Sequence, residues 1–102
     1  MAMLQITIMP SPPKDGTSVS EYVAKALKLI KNSGLKYELS PTATIVEGEI
    51  EELFSIARKV HESSFSLGAK RVVTVIMIDD RRDKKITMEY KKRSVLEKAG
   101  DL

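Results

Sequence analysis

The residues best suited to bind a small polar molecule lie close together in residues 41–49 (PTATIVEGE). Thr42 and Thr44 are two positions apart in a run typical of a β-strand, so their hydroxyls point to the same face of that strand. The run ends in two carboxylates around a glycine, namely Glu47, Gly48 and Glu49. Hydroxyls and carboxylates bind amines and hydroxyls, and a glycine lets the backbone approach a ligand closely because it has no side chain. The segment therefore predicts a binding edge.

The two carboxylates differ in the alternatives that they leave open. Glu49 directly precedes an amphipathic helix pattern, where a negative charge also stabilises the positive N-terminal end of a helix. A role as a helix cap and a role at the ligand edge are equally compatible with Glu49. Glu47 comes before the helix, at the end of the strand, so its position favours ligand binding.

Residues that could perform catalysis are few. The chain has one histidine, His61, and no cysteine. A lone histidine on a helix is more often a partly exposed surface residue than a base or a metal ligand. No serine lies in a nucleophile-elbow pattern, and no glycine-rich phosphate loop is present in the sequence. We therefore predict that the protein is not an enzyme and has no catalytic residue, no metal and no cofactor. The alternative, an enzyme that acts on a small nitrogen heterocycle, has little support from the residues.

Length and composition indicate one folded domain. The chain has 102 residues, enough for one modest core, and its 42% hydrophobic and 30% charged residues are typical of folded soluble proteins. No apolar run approaches the roughly 20 residues of a membrane span. The N-terminus lacks the basic region that opens a signal peptide. Together with the absence of cysteine, these features predict a cytoplasmic protein with no membrane partner.

Positive charge is concentrated in the last quarter of the chain. The net charge is +3, and cations crowd residues 79–85 and 91–93. Such a patch can bind phosphate or nucleic acid, but three aspartates are interleaved with the cations, which favours a solvated loop. RNA binding on an open sheet also needs aromatic residues on its central strands, and neither Tyr37 nor Tyr90 lies there. We therefore expect no nucleic-acid partner.

Hydrophobic periodicity predicts strands and helices in alternation. Strands are predicted at residues 3–9, 36–40, 42–47 and 71–79. The last of these is the richest in β-branched residues, which predicts a central or near-central position. Between the first two strands, prolines and a glycine at residues 10–16 predict a loop, and a capping box of Ser18 and Glu21 opens a helix that stops at Gly34. A second amphipathic helix covers residues 49–66 and ends at Gly68, and its predicted buried face holds Ile50, Leu53, Phe54, Ala57 and Val60.

This order, β-α-β-β-α-β, describes a ferredoxin-like α+β fold. In that fold both helices cover one face of an antiparallel sheet and the other face is left open. The chain is then a single domain with a core at about residues 3–80 and a C-terminal extension at about residues 81–102. Within the extension, residues 85–90 alternate and predict a short extra strand, and residues 94–99 predict a final helical turn or two.

Alternation within the strands predicts which side chains occupy the open face. We expect the helices to be faced by Leu4, Ile6, Ile8, Ala43, Ile45, Val73, Val75 and Met77. We expect the open face to carry Gln5, Thr7, Met9, Thr42, Thr44, Val46, Thr74, Ile76 and Ile78. Such a mixed face is too apolar to leave in water, so we expect a second copy of the chain to cover it and to leave hydroxyls for a small ligand at the seam. A plain oligomer core without a ligand is the alternative.

Five segments of the chain resemble one known family. They are residues 6–10 (ITIMP), 18–23 (SVSEYV), 37–53 (YELSPTATIVEGEIEEL), 71–91 (RVVTVIMIDDRRDKKITMEYK) and 93–98 (RSVLEK). They are similar to the MTH1187/YkoF-like family of small thiamine-binding proteins, formerly the uncharacterised UPF0045/DUF77 group, and the most specific pieces are residues 44–49 and 79–83. The resemblance implies a cytoplasmic, non-catalytic ferredoxin-like subunit that forms homodimers and often homotetramers and binds thiamine or its hydroxymethylpyrimidine part. It also implies ligand-edge positions for Thr44, Glu47 and Gly48.

The polar residues are compatible with such a ligand. Glu47 can accept from the exocyclic amine of the pyrimidine and balance the charge of the thiazolium ring. The remaining hydrogen bonds of the pyrimidine can come from the hydroxyls of Thr7, Thr42, Thr44 and Thr74. Tyr37 either covers the cation or stacks on a ring, or it packs at the edge of the second strand. A structural or regulatory oligomeric module with no small ligand is the alternative function.

Overall fold

The computed structural model describes residues 1–11 and 19–100 of the chain. These residues form, in order, β1 (Ala2–Ser11), α1 (Ser20–Asn32), β2 (Lys36–Leu39), β3 (Thr44–Gly48), α2 (Ile50–Ser66), β4 (Arg71–Asp80) and α3 (Met88–Ala99). The strands form one antiparallel sheet in the order β2-β3-β1-β4. This order, with α1 and α2 on one face, confirms the predicted ferredoxin-like α+β fold. Within this part of the chain, no helix combines the length and apolarity needed to cross a membrane.

The hydrophobic core lies between the sheet and the pair α1 and α2. It is formed by Ala2, Leu4, Ile6, Ala26, Ile30, Val46, Leu53, Ile56, Ala57 and Val60. The helix members recur at three- and four-residue spacing, which places them on one stripe of each helix. Phe54 was predicted to belong to this stripe, and that prediction is wrong because its side chain is 56% exposed. Its neighbour Leu53 takes the buried position, since a helix turns about 100° per residue.

The predicted ends of α1 and α2 are largely confirmed. Gly34 and Gly68 have φ of 78° and 101°, the left-handed backbone that favours glycine after a helix. Glu49 and Glu52 form a reciprocal capping box at the start of α2. The predicted capping box of Ser18 lies outside the described residues, and the first described helical residue follows Val19 as N-cap.

The strand register shows that the predicted faces of β3 and β4 are wrong. Directly opposite residues of antiparallel strands point to the same face, and Val46 and Ile78 both lie opposite Leu4. Leu4 is fully buried against the helices. The helix side therefore holds Thr44, Val46, Thr74, Ile76 and Ile78, and the open side holds Ile45, Glu47, Val73, Val75 and Met77. Alternation determines the period of a strand but not its phase.

β4 was predicted to be central, and it is an edge strand instead. Among the described residues only β1 pairs with it, over all ten of its residues. β1 also runs further than predicted, because Pro10 lies within it, opposite Val72. A proline is tolerated in a strand where its missing N–H would face no partner. β1 therefore keeps pairing with β4 beyond the point where β3 stops.

The predicted extra strand at residues 85–90 is also wrong. This stretch contains the start of α3, which is capped by the Thr87 hydroxyl accepting from the Tyr90 N–H and ends at Gly100 with φ of 83°. Ile86, Met88 and Tyr90 alternate over too few residues to separate a strand from a helix start. α3 lies against the open face, where Met88 is buried and Lys92 forms an ion pair with Glu38 of β2. The open face is therefore partly covered by the chain itself.

Candidate functional site

A pocket of about 500 Å³ lies beside β1, next to the part of the strand beyond Ile6, its last residue that pairs with β3. We call it the threonine pocket. Its walls come from three sources: β1, α1 with Val60 of α2, and the turn that joins β2 to β3. The lining residues are Ile6, Thr7, Ile8, Val23, Ala26, Ile30, Leu39, Ser40, Pro41, Thr42, Ala43, Thr44 and Val60. Its volume falls within the range of about 300–1,000 Å³ that is typical of small-molecule sites.

The free edge of β1 forms one side of this pocket. β1 pairs with β4 from Ala2 to Ser11, but its pairing with β3 extends only from Ala2 to Ile6. Beyond Ile6, alternate residues direct their backbone N–H and C=O groups away from β4. On that side no other strand of the described chain pairs with them. The edge thus offers backbone donors and acceptors to a flat ligand.

Hydroxyl groups complete the polar part of the threonine pocket. Thr44 is only 8% exposed and lines the pocket, and its hydroxyl has no hydrogen-bond partner among the described residues. Thr7 donates to the Thr42 carbonyl over 2.8 Å, which fastens the turn to β1. Ser40 donates to the Ala43 carbonyl over 2.9 Å and so holds the turn itself. The pocket therefore has one nearly buried hydroxyl free for a ligand, on a rim that is held in place.

Charge is absent from the walls of this pocket as far as the structure describes them. An ion moved into such surroundings loses its hydration without gaining a partner, which is costly. Backbone edge groups and hydroxyls can instead bond to the edge of a neutral heterocycle, whose faces contact the aliphatic side chains. The arrangement is suited to bind an uncharged, flat molecule that has donors and acceptors on its rim.

Glu47 and Gly48 lie at the opposite end of β3 and do not line the threonine pocket. The Glu47 side chain is 4% exposed on the open face, where its Oε1 accepts from the Met88 N–H at the start of α3. A Cβ added to Gly48 would lie 3.3 Å from Leu35 Cδ2 and 3.5 Å from Leu53 Cδ2. The missing side chain of Gly48 thus makes room for core leucines.

The remaining predicted site residues are also separate from the pocket. Glu49 is exposed and caps α2. Tyr37 packs against the hydrophobic core, which agrees with the packing role that its position left open. The Thr74 hydroxyl lies 2.6 Å from Nδ1 of His61 on α2. The structure therefore brings together three of the eight predicted residues, Thr7, Thr42 and Thr44.

Ionisable groups are concentrated elsewhere, in the loop after β4 and on α3. Two hydrogen bonds from Arg81 hold the pKa of Asp83 down at about 2. Arg82 donates in the same way to Asp80 and lowers the pKa of that carboxyl. Arg81 is thus paired with an aspartate of its own loop, and Arg82 is paired with Asp80, the last residue of β4. This pairing agrees with the prediction of a solvated loop for residues 79–85.

Sequence reasoning missed two parts of the pocket. The wall from α1, with Val23 and Ala26, carries no signal beyond ordinary helix amphipathicity. The free edge of β1 did have a signal, because Pro10 cannot donate to a strand on one side. A proline at the end of a strand pattern was interpreted as the start of a loop.

Together the fold and the pocket define a ferredoxin-like protein with a pocket at the end of its sheet, whose described lining residues carry no charge. The model of the family described as "Thiamine-binding protein" matches residues 4–96, and the chain belongs to this family. It is 43% identical over 99 residues to the UPF0045 protein YqgV of Bacillus subtilis, a match that covers 93% of this chain and 94% of that protein. The resemblance inferred from the sequence is therefore confirmed.

Two crystal structures share the fold over nearly the whole chain. A hypothetical protein of Methanocaldococcus jannaschii is similar with a TM-score of 0.80 and 33% identity, over 99% of this chain and 97% of that one. A Thermotoga maritima protein, provisionally assigned to thiamine biosynthesis or salvage, is similar with a TM-score of 0.77 and 29% identity. That match covers 92% of this chain and 97% of the Thermotoga chain.

Proposed function

We propose that the chain binds the hydroxymethylpyrimidine part of thiamine, or a similar uncharged nitrogen heterocycle, in the threonine pocket. The observation that carries the proposal is the nearly buried Thr44 hydroxyl, which lines an uncharged pocket without a partner of its own. A ligand that covers this hydroxyl without bonding to it would leave it unpaired at a cost of about 1–3 kcal/mol, so the pocket favours a ligand whose polar edge pairs with Thr44. The family's description as thiamine-binding and the assignment of the Thermotoga protein support the same ligand class.

The chemistry of the pocket favours the pyrimidine over the thiazolium. The pyrimidine ring is flat and neutral, and its amine and ring nitrogens can bond to the β1 edge and to Thr44. The thiazolium is a cation, and no carboxylate lies among the described lining residues to balance it. We therefore expect hydroxymethylpyrimidine to bind at least as tightly as thiamine. Thiamine binding tighter by tenfold or more would contradict the placement of the ligand in this pocket.

Calorimetric titration with a matched pair of variants tests the proposal. Both ligands are titrated into protein at about 100 µM, a range in which weak binding is measurable. Thr44→Val keeps the shape of the side chain and removes the hydroxyl, so we expect affinity to fall roughly 2- to 12-fold. Thr74→Val is the control, because it makes the same change on the same side of the sheet but outside the pocket. The proposal is contradicted if neither ligand gives heat, or if Thr44→Val and Thr74→Val lose affinity for the ligand to the same extent.

The proposed role is binding without turnover, in the cytoplasm. The family is described by binding and not by a reaction, which supports the first part. Mass spectrometry of ligand recovered after long incubation with the protein tests it, since any product would indicate an enzyme. Fractionation of cells tests the location.

We further propose that the chain assembles through the free edge of β4. Val73, Val75, Ile76 and Met77 of this strand are 41–58% exposed. In an antiparallel pair of β4 strands related by a two-fold axis at Val75, Arg71 lies opposite Asp79 of the second copy, and Val73 lies opposite Met77. In such a pair the open faces of the two sheets lie on the same side. On these faces each charged residue of β4 is opposite a residue of opposite charge, and each apolar residue is opposite another apolar residue. The β4 sequence is thus complementary to itself in this register.

Measurement of molar mass in solution tests the assembly. We expect a dimer, and a tetramer if the uncovered parts of two open faces then pack together. Val75→Glu places two like charges opposite each other at the axis and should give monomers. Val95→Glu is the control, because Val95 is exposed and belongs to α3, not to β4. A Val75→Glu protein that keeps the parent's mass would exclude pairing through β4.

A further inference from the structure

A second cavity, of about 210 Å³, lies between α3 and the open face of the sheet. We call it the α3 cavity. Ile45, Gln5 and Met77 lie in one row across three strands and form its floor, with Met3 in the next row. Met88 of α3 also contacts it. At about 30 Å³ per water molecule, its volume equals that of roughly seven waters, so a fitting ligand has one ring or two small fused rings.

The walls of this cavity favour an aromatic ligand. Three of its residues, Met3, Met77 and Met88, are methionines. Thioethers are polarizable and make favourable contacts with aromatic rings, and the unbranched side chains adapt to the shape of a ligand. Gln5 is exposed, and its amide has no hydrogen-bond partner among the residues that the structure describes. It can donate or accept one hydrogen bond at the floor.

The charged groups around this cavity are already paired with one another. Lys92 lies 3.0 Å from Glu38, and Lys91 lies 2.6 Å from Asp79. Each pair joins α3 to the sheet and cancels its own charge. The rim therefore offers no unpaired charge from these four side chains to an ionic ligand. An uncharged molecule would enter without separating either pair from its partner.

α3 is a wall that can move aside. Met88 is its one buried residue among those described, and the rest of its attachment consists of exposed ion pairs and the bond from the Met88 N–H to Glu47. Exposed ion pairs each stabilise little. Elements with few buried contacts open more easily than the core. The helix can thus admit a ligand without unfolding of the sheet.

We propose that the α3 cavity is a second binding site, which takes a small uncharged aromatic compound with a single hydrogen-bonding group and has α3 as one wall. The site is separate from the threonine pocket, because the two share no lining residue and lie on opposite faces of the sheet, one beside α1 and α2 and the other beside α3. The proposal stands whether or not the threonine pocket binds a pyrimidine.

Indole is a suitable probe, since it is uncharged, aromatic and has one N–H. The chain has five methionines, of which three line the cavity and Met1 and Met9 do not. With ¹³C-methyl methionine, an indole titration should shift the signals of Met3, Met77 and Met88 in a saturable way and leave the other two unchanged. Equal shifts of all five signals, or none up to millimolar indole, would overturn the proposal.

Variants and competition separate this site from the other possibilities. Gln5→Leu should weaken indole roughly 2- to 12-fold and leave toluene, which has no donor, unchanged. Saturating hydroxymethylpyrimidine and the Thr44→Val change should leave the indole shifts intact. Loss of the shifts in Thr44→Val would place indole in the threonine pocket and refute the inference, as would their loss with hydroxymethylpyrimidine in the parent protein but not in Thr44→Val. Methionine signals that move on dilution but not with indole would show a second copy filling the cavity, which also refutes it.

Discussion

Replacement of Glu47 distinguishes between two partners for its carboxylate, a ligand and the start of α3. The side chain is 4% exposed and accepts from the Met88 N–H. Glu47→Gln keeps an oxygen that can accept this hydrogen bond but removes the negative charge from the positive end of a helix. Glu47→Ala removes the acceptor as well and leaves a buried N–H without a partner.

The structure sets the expected magnitudes. A charge at a helix end contributes about 0.3–1 kcal/mol, and up to about 2 kcal/mol where it is partly buried. We therefore expect Glu47→Gln to weaken the docking of α3 by about 1 kcal/mol. An unsatisfied buried donor costs about 1–3 kcal/mol, so Glu47→Ala should weaken it by about 2–3 kcal/mol. Neither change should alter pyrimidine affinity by more than about twofold, because Glu47 lies outside the threonine pocket.

Hydrogen exchange measured separately for α3 and α2 is the appropriate assay. At 1.4 kcal/mol per tenfold change, protection of the α3 amides should fall roughly 5-fold in Glu47→Gln and roughly 30- to 140-fold in Glu47→Ala. Protection in α2 should change less, because α2 is held by the core. Glu51→Gln is the matched control, since Glu51 is an exposed carboxylate in the first turn of α2. The reasoning is refuted if Glu47→Gln weakens pyrimidine binding tenfold and leaves α3 protection unchanged.

Three further predictions concern packing, a polar contact and pH. Gly48→Ala should change the free energy of unfolding by no more than about 1 kcal/mol in urea titrations, because the close contact of the new Cβ with Leu35 Cδ2 is offset by the smaller conformational entropy of the unfolded chain. A loss of roughly 2 kcal/mol or more would show that the leucines cannot move. Thr74→Val should lower it by about 0.5–1.5 kcal/mol through loss of the contact with His61; no loss would mean that the contact contributes nothing. The contact with Lys36 lowers the pKa of Glu89 below its ordinary value of 4.5. That contact therefore stabilises α3 above this value and is lost as the pH falls below it, so the protection of α3 amides relative to intrinsic exchange at the same pH should fall as the pH drops below about 4.5, and Glu89→Gln should make this fall smaller.

Local patterns were sufficient where neighbouring residues decide the structure. The alternation of Leu4, Ile6 and Ile8 predicted the buried side of β1 correctly, and glycines marked the ends of α1 and α2. The role of Glu49 as a cap was one of two alternatives that its position before a helix allowed. In each case the physical cause acts within a few residues, through backbone conformation or helix-end hydrogen bonding.

Predictions failed where a distant partner decides the outcome. Thr74 was placed on the open face, but its register with Ile8 of β1 puts it on the helix side. Glu47 was assigned to a ligand, but its carboxylate binds the start of α3, which is 41 residues further along the chain. The phase of a strand and the partner of a buried carboxylate depend on which elements come together.

The sequence by itself determined the family, the order of the elements from β1 to β4 and a set of four threonines from which the pocket residues come, because repeated spacing and short motifs express them directly. Only the tertiary structure decided that three of those threonines share one uncharged pocket and that α3 covers part of the open face. The physical reason is that β3 begins at Thr44, which lies opposite Ile6, while β1 continues beyond Ile6 to Ser11. The length difference between these two paired strands leaves the free edge beside which the threonine pocket forms.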